Sequence, residues 1–294
     1  MKDLSVSIAQ MAPTLLDVSR NLEKIRLFMK EAVSSGSQLL VLPEMALTGY
    51  GIEGVLADGH SRAAFAAETG HAVRELRADS GRLGLDIVVS YPIFSKNRVF
   101  IAAEYIGRGK RLAVHRKVNL CNYAHYTEHL HFTAGDRLTV VRTERAACGL
   151  LVCEDFWHAA NGIVETLYGA EILVVPSAPC VRDQSHGPIS IARWELLSRS
   201  AAFLQTSYVV LVSRAGQEGD NTFLGGSHVV SPEGEFICRL PLFEEGMAQV
   251  NLQAASLREV RRQRPLLENE RVDLYKKFFA EVASEMQAPG RDRK

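Results

Sequence analysis

Apolar residues change their spacing along this chain in a way that alternates between two periods. Leu4 to Gln10 alternates apolar and polar positions, the period of a strand, and Val18 to Ser34 follows with Leu22, Ile25, Phe28, Met29, Ala32 and Val33 on one helical face. Gln38 to Leu42 is a short apolar strand, followed by a Gly-rich loop, TGYGIEG, and a helix over roughly Ser61 to Gly81. Asp86 to Phe94 and Arg98 to Ile106 read as a hairpin turning around Ser95 to Asn97, and RLAVHR adds a further strand.

The second half reuses these elements. Strands are expected at Leu138 to Val141 and Cys148 to Cys153, a helix near Gly162 to Gly169 and a strand at Glu171 to Pro176. A helix at Ile189 to Leu204, a strand at Tyr208 to Ser213 and a hairpin from Gly226 through SPEGE to Arg239 follow. Strands alternating with helices, with hairpins in each half, predict an α/β layered fold. No Pro/Gly/Ser linker divides the chain, so the expectation is one domain over residues 1–282 and a flexible C-terminal tail over 283–294, ending QAPGRDRK.

Composition narrows the class. With 294 residues, 47% of them hydrophobic, the chain can bury a sizeable core. Lys plus Arg and Asp plus Glu both number 34, so no global charge favours nucleic acid or an anionic membrane, and a small neutral or zwitterionic partner fits better. The opening MKDLSVSIAQM reads as a strand, not a signal peptide, and no apolar run approaches the roughly 20 residues of a membrane span. Five widely spaced cysteines without a C-x-x-C pair suggest a reduced, cytoplasmic chain with mostly buried thiols.

Polar residues that directly follow short apolar strands are the first to inspect for chemistry, because α/β sheets carry their sites at those strand ends. Glu44 follows LLVLP, Lys117 follows RLAVHR and Cys153 follows CGLLV. A thiol can attack a carbonyl or nitrile carbon, a carboxylate can take its proton and an ammonium can stabilise the oxyanion. Taken singly, each is more often a loop cap, a solvated charge or an inert core thiol. A competing motif is HYTEH, residues 125–129, which matches the H-x-x-E-H pattern of one class of zinc peptidases. That chemistry needs a helix with both imidazoles on one face and a third ligand, and LCNYAHYTEHLHFTAGD lacks a helical apolar stripe.

The stretches LLVLPEMALTGY, HRKVNL and GLLVCEDFWH together resemble the nitrilase superfamily of carbon–nitrogen hydrolases, with its Glu-Lys-Cys triad in that order. GAEILVVPSA, RSAAFLQTSYVVLVSRAG, FLGGSHVVSPEGE and ENERVDLY are also similar to segments of that family, so the resemblance spans almost the whole chain. It implies a four-layer αββα sandwich, often assembled as a homodimer. Glu44 is then the general base, Lys117 the stabiliser of the tetrahedral intermediate and Cys153 the nucleophile, with the Glu154 N–H beside Lys117 in the oxyanion site. Glu128 falls at a second pocket glutamate, in a TEHLHFTAGD context like the family's E-x-x-x-F-x-x-G-D. Neither metal nor cofactor is required.

Within the superfamily, EDFWH after the cysteine and KVNLCNYAHYTEHLHF, including Asn122 and Tyr123, resemble the glutaminase domain of glutamine-dependent NAD synthetases. Both lean toward a small-molecule amide as substrate. With no SGG motif of an ATP-binding synthetase domain in these 294 residues, the expectation is a free-standing amidase. Alternatives are a separate glutaminase subunit delivering ammonia to a partner, or a nitrile or carbamoyl hydrolase. From other classes come a non-catalytic binding protein, against which the intact triad argues, and the zinc peptidase. Tyr123, Trp157, His158 and Arg182, with Gln184 and His186 of VRDQSHGP, are the candidate pocket contacts. His125, His129 and His131 are assigned to the rim or surface, Trp194 to packing, and Cys121 and Cys180 to the pocket loops. RRQR, residues 261–264, reads as a basic helix end.

Overall fold

The computed structural model describes residues 1–124 and 126–287. Its first half runs β1 (Leu4–Gln10), α1 (Val18–Ser34), β2 (Leu39–Val41), α2 (Glu53–Leu56), α3 (Gly59–Leu83), β3 (Asp86–Ser95), β4 (Arg98–Gly107) and β5 (Lys110–Arg116). Next come β6 (Thr139–Arg142), β7 (Ala147–Leu150), α4 (Ala159–Leu167), β8 (Ile172–Ser177), β9 (Cys180–Val181), α5 (Gly187–Leu204) and β10 (Tyr208–Ser213). The chain then forms β11 (Ala215–Glu218), β12 (Asn221–Leu224), β13 (His228–Val230), β14 (Phe236–Arg239), β15 (Gly246–Leu252), α6 (Ala254–Gln263) and α7 (Val272–Gln287).

Two six-stranded sheets result, ordered β15-β1-β2-β3-β4-β5 and β14-β13-β10-β8-β7-β6, with β11-β12-β9 as a small third sheet. In the first, β1, β2 and β3 are parallel neighbours (Val6 beside Leu39, Leu39 beside Asp86), and β3, β4 and β5 continue as an antiparallel meander. In the second, β7, β8 and β10 are parallel, with Ile172 beside both Cys148 and Tyr208. Strands β8 and β10 read ILVVPS and YVVLVS and are buried throughout, as expected where both faces of a sheet are covered.

Alternation along those strands assigns the layers. Val174, Val210 and Val212 join a core shared with Val6, Ile8 and Val41 of the first sheet, while Leu173, Val175, Val209 and Leu211 pack with Trp194 and Ala202 of α5. Ile25 and Met29 of α1 and Val73 and Leu76 of α3 close the first sheet's outer face. The chain is thus the four-layer αββα sandwich that its motifs predict. Asp58 caps α3 by accepting from the Ser61 N–H at 2.7 Å, and Gly84, in the left-handed region at φ 65°, ends it.

Several boundaries differ from the sequence-based expectations. The strand expected to reach Cys153 stops at Leu150, because Cys153 to Trp157 coil into a 3₁₀ turn. Helix α3 is longer than predicted, since its first turn, Gly59 and His60, is polar and carries no apolar signal. Residues 283–287, expected to be tail, are the last turn of α7, and 288–294 lie outside the described residues, as does His125. Strand β15 and the β11-β12-β9 sheet were not anticipated. Among the described residues, no helix is long and apolar enough to cross a membrane.

Candidate active site

Glu44, Lys117 and Cys153 come together from three strand ends. Glu44 lies three residues after β2, in a turn held by the Met45 N–H donating to Ser90 Oγ of β3 at 3.1 Å. Lys117 directly follows β5, and its carbonyl accepts from the Gly135 N–H at 2.7 Å. A Cβ on Gly135 would come within 2.2 Å of the Arg116 carbonyl oxygen, so only glycine permits this approach. Cys153 opens its 3₁₀ turn at φ 49°, a conformation that costs a non-glycine residue roughly 1–3 kcal/mol and that clusters at functional sites.

The Lys117 ammonium is fully buried, 2.9 Å from Glu44 Oε1 and 2.7 Å from Glu128 Oε1. Tyr50 donates its hydroxyl to that same Glu128 oxygen, and the Cys121 N–H donates to Glu128 Oε2 at 2.8 Å. Glu128 is therefore committed on both oxygens, and it sits on a short 3₁₀ turn, not on a helix. His129 points away, exposed, with Nδ1 2.7 Å from Asn122 Oδ1, and His131 is half-buried. The HYTEH segment supplies a carboxylate to the lysine.

Electrostatics follow from two buried carboxylates facing one ammonium. Burial pushes the Glu44 carboxyl up to about 7 against the pull of Lys117, and the charge on Glu128 pushes the same way as burial. Burial pulls Lys117 down, but the two carboxylates outweigh it and hold the ammonium well above its ordinary value. The Cys153 thiol is pushed up by burial and by Glu44, with Lys117 and the Ala178 N–H opposing. Cys153 is close enough to Glu44 to lower its pKa as a donor, yet Glu44 Oε2 is buried with no partner at full hydrogen-bond distance among the described residues. Such loose contacts are common in unliganded sites.

A third buried carboxylate ties the Lys117 and Cys153 segments together. Asp155 Oδ1 accepts from the Val118 and Asn119 N–H groups at 2.9 and 2.7 Å, and Oδ2 accepts from the Val152 N–H at 2.9 Å and meets His115 Nε2 at 2.9 Å. A further tie runs from Arg214, buried over the Phe223 ring at 3.7 Å, to Glu218, which accepts from the Tyr50 and Gly51 N–H groups and so fixes the tyrosine that reaches Glu128. Sequence reading missed Asp155, His115, Arg214, Glu218 and Tyr50. Asp155 lay within the quoted EDFWH, and a lone acid there carries no signal of four backbone and ring partners.

A cavity of about 430 Å³ opens onto Cys153, with Tyr123, Glu154 and Trp157 in its wall. Tyr123 donates its hydroxyl to Glu154 Oε2 at 2.8 Å, and Trp157 stacks edge-on against Trp194 with centroids 5.3 Å apart. Trp194, assigned to packing, is buried and also lines the cavity, as do Cys121, Tyr126 and Cys180. Arg182 does not reach the cavity and is exposed with Gln184 and His186; the arginine in the wall is Arg193, which lies on α5. His158 is half-exposed, 3.5 Å from Glu154 Oε1 and outside the lining. RRQR is structural in part, since Arg261 donates to the Thr206 and Ala170 carbonyls at 3.0 and 2.9 Å.

The family model of carbon-nitrogen hydrolases matches residues 5–262 of this chain. The chain is 30% identical over 252 residues to a glutamine-dependent NAD(+) synthetase of Thermotoga maritima, covering 86% of this chain but only 42% of that protein, so it spans less than half of that relative's length. A protein of Pseudomonas protegens described as a hydrolase in the pqqF 5' region is 30% identical over 278 residues, covering 94% of this chain and 92% of that one. Among solved structures, an amidase of Nesterenkonia sp. AN1 superposes with a TM-score of 0.78 at 26% identity over 93% of this chain and 96% of that chain. That structure is a Glu-to-Gln mutant showing covalent addition of the acetamide moiety of fluoroacetamide at the active-site cysteine.

Proposed function

This chain belongs to the carbon–nitrogen hydrolase family and is an amidase-type hydrolase, and from that premise we propose that it hydrolyses a small non-peptide amide through a thioester on Cys153. The observation that carries the reading is the Lys117 ammonium, buried between the Glu44 and Glu128 carboxylates at 2.9 and 2.7 Å, with Glu44 Oε2 left without a full hydrogen bond beside the thiol. The covalent adduct on the active-site cysteine of the Nesterenkonia amidase supports the choice of nucleophile.

In this cycle the thiol stays protonated at rest, since burial disfavours the thiolate. Its proton passes to Glu44 Oε2 as sulfur attacks the amide carbon, and the carbonyl π pair moves onto oxygen. That oxyanion lies between Lys117 and the Glu154 N–H, a first-turn donor of the 3₁₀ segment with no intrahelical partner of its own. Collapse expels the amine, which takes the proton from Glu44 and leaves the thioester. Water, deprotonated by the same carboxylate, adds to the acyl carbon; the thiolate leaves and is reprotonated as the acid departs.

The cavity wall, with a Glu154 carboxylate, an Arg193 guanidinium and aromatic faces, suits a small polar amide. A second reading, a glutaminase that passes its ammonia to a partner, draws on the likeness to the Thermotoga synthetase over 86% of this chain. The test is ammonia release from glutamine, asparagine, ω-amides, carbamoyl amino acids, simple amides and nitriles, alongside intact mass after rapid quench. Wild type should release ammonia and gain the acyl mass, and Cys153→Ala should do neither. Equal turnover by Cys153→Ala would sink the proposal.

A further inference from the structure

The outer face of the first sheet carries a second cleft, of about 610 Å³, that shares no lining residue with the Cys153 cavity. Helix α3 forms one wall, and β5 contributes Val114 and Arg116 to the other. The alternate residues of β5 and the position after it, His115 and Lys117, are fully buried on the opposite face, so the strand that positions the candidate catalytic lysine also builds this cleft.

Charge sets the cleft apart in a chain of zero formal net charge. Arg74, Arg77, Arg111, Arg116 and Arg137 all line it, against a single acid, Asp136. Glu104, buried behind, engages Arg77 at 2.6 and 2.8 Å and Arg111 at 3.4 Å, which uses up its charge. Among the described residues, Arg74, Arg116 and Arg137 have no carboxylate at ion-pair distance, and Arg116 instead lies over the Phe100 ring at 4.5 Å. Thr69, also in the lining and 2% exposed, has a buried hydroxyl without a hydrogen-bond partner among the described residues. Converging guanidinium groups repel one another unless an anion neutralises them, and guanidinium geometry matches phosphate oxygens in pairs. Val73, Ile93 and Phe94 give the cleft an apolar side, and Gly70 keeps the α3 wall low.

We propose that this cleft binds a phosphate-bearing small molecule of the nucleotide class, its phosphates among Arg74, Arg116 and Arg137 and its ring against Val73, Ile93 and Phe94. The apolar side distinguishes such a ligand from free phosphate. The cleft is separate from the hydrolytic cavity, so its occupancy is measured without reference to turnover.

The experiment is calorimetric titration of the full chain with ADP, AMP and inorganic phosphate at low and high salt. Wild type should bind ADP more tightly than phosphate and lose affinity as salt rises, because the contacts are ionic and partly exposed. Arg74→Ala/Arg137→Ala should weaken ADP binding at least roughly tenfold, the scale of one lost charge-assisted hydrogen bond. Gly70→Leu, a helix-compatible filler whose Cβ would meet nothing nearer than Arg74 Nη1 at 3.7 Å, should weaken it as well. Circular dichroism confirms that both variants are folded, and both should hydrolyse amide as wild type does. Absence of ADP binding to wild type, or binding unchanged in both variants, overturns the proposal. Equal affinity for phosphate and ADP overturns the nucleotide assignment.

Discussion

Lys117 Nζ stands 2.9 Å from Glu44 Oε1 with both side chains wholly removed from solvent. Charges are held in such a place only when each is paired, because desolvation of either alone is costly. Replacing Lys117 by Gln leaves two carboxylates without their cation. The expected result is a loss of roughly 3–5 kcal/mol in urea denaturation near neutral pH, the range for breaking a buried pair. Activity should fall by at least about 10²-fold as the proposed oxyanion contact is lost. Unchanged stability would mean that the lysine is not charged in the folded protein.

The pH profile should report Glu44. With its carboxyl pushed up to about 7, the proposed base is increasingly protonated below that pH, so kcat/KM should fall as pH drops through about 7. Glu128 raises Glu44 through its charge, so Glu128→Gln should move this acidic limb to lower pH in whatever activity remains. A limb that stays in place would separate the profile from Glu44.

Asp155 acts through position, since its oxygens hold the backbone on both sides of the site. Asn offers one acceptor oxygen in place of two, so Asp155→Asn leaves at least one buried N–H unpaired, at about 1–3 kcal/mol. It should lower kcat more than it changes KM, because the cavity wall is intact while Lys117 and Cys153 lose their common anchor. A Tm drop with kcat unchanged would reduce Asp155 to a purely structural residue.

Glu165 is a buried acid outside the site. One oxygen accepts from the Thr139 N–H at 3.2 Å, the other has no partner at full hydrogen-bond distance among the described residues, and burial pushes the carboxyl up to about 9 from 4.5. The folded state therefore keeps a proton that the unfolded state releases. Below about 4.5 both states are protonated and the group is neutral to stability, and stability declines as pH rises from there toward about 9. Glu165→Gln should flatten that decline, measured as urea midpoints at pH 5 and pH 8. Parallel declines in the two proteins would refute the assignment.

Assembly is testable from exposed apolar surface. Ile189, Leu196 and Leu204 of α5 are 60–66% exposed, as is Phe279 of α7 at 65%, an unusual display for a surface left to water. The homodimer implied by the sequence resemblance would cover such residues. Sedimentation should show twice the 32.5 kDa chain mass for wild type and a shift toward monomer for Leu196→Glu. A monomeric wild type would leave that apolar face without a covering copy.

Much of this was legible because periodicity is a local property. The bounds of β1, α1 and β10 coincide with those read from the pattern, since each buries one continuous face or both. Cys153 was mislocated to a strand because CGLLV is apolar up to the thiol, and nothing local announces a φ of 49°. Arg182 was read as a pocket contact from its place in the VRDQSHGP loop, whereas Arg193 carries no local signal and reaches the cavity wall only through the packing of α5.

The sequence alone determined the alternation of elements, the strand-end positions of Glu44, Lys117 and Cys153 and the membership in a family, because side-chain period and short motifs are written in neighbouring residues. Tertiary structure decided what those residues became. Only the packing of two sheets removes Lys117 from water between two carboxylates drawn from distant segments, and only that burial lifts Glu44 to about 7. Desolvation and charge pairing are sums over everything nearby in space, and no stretch of sequence contains that sum.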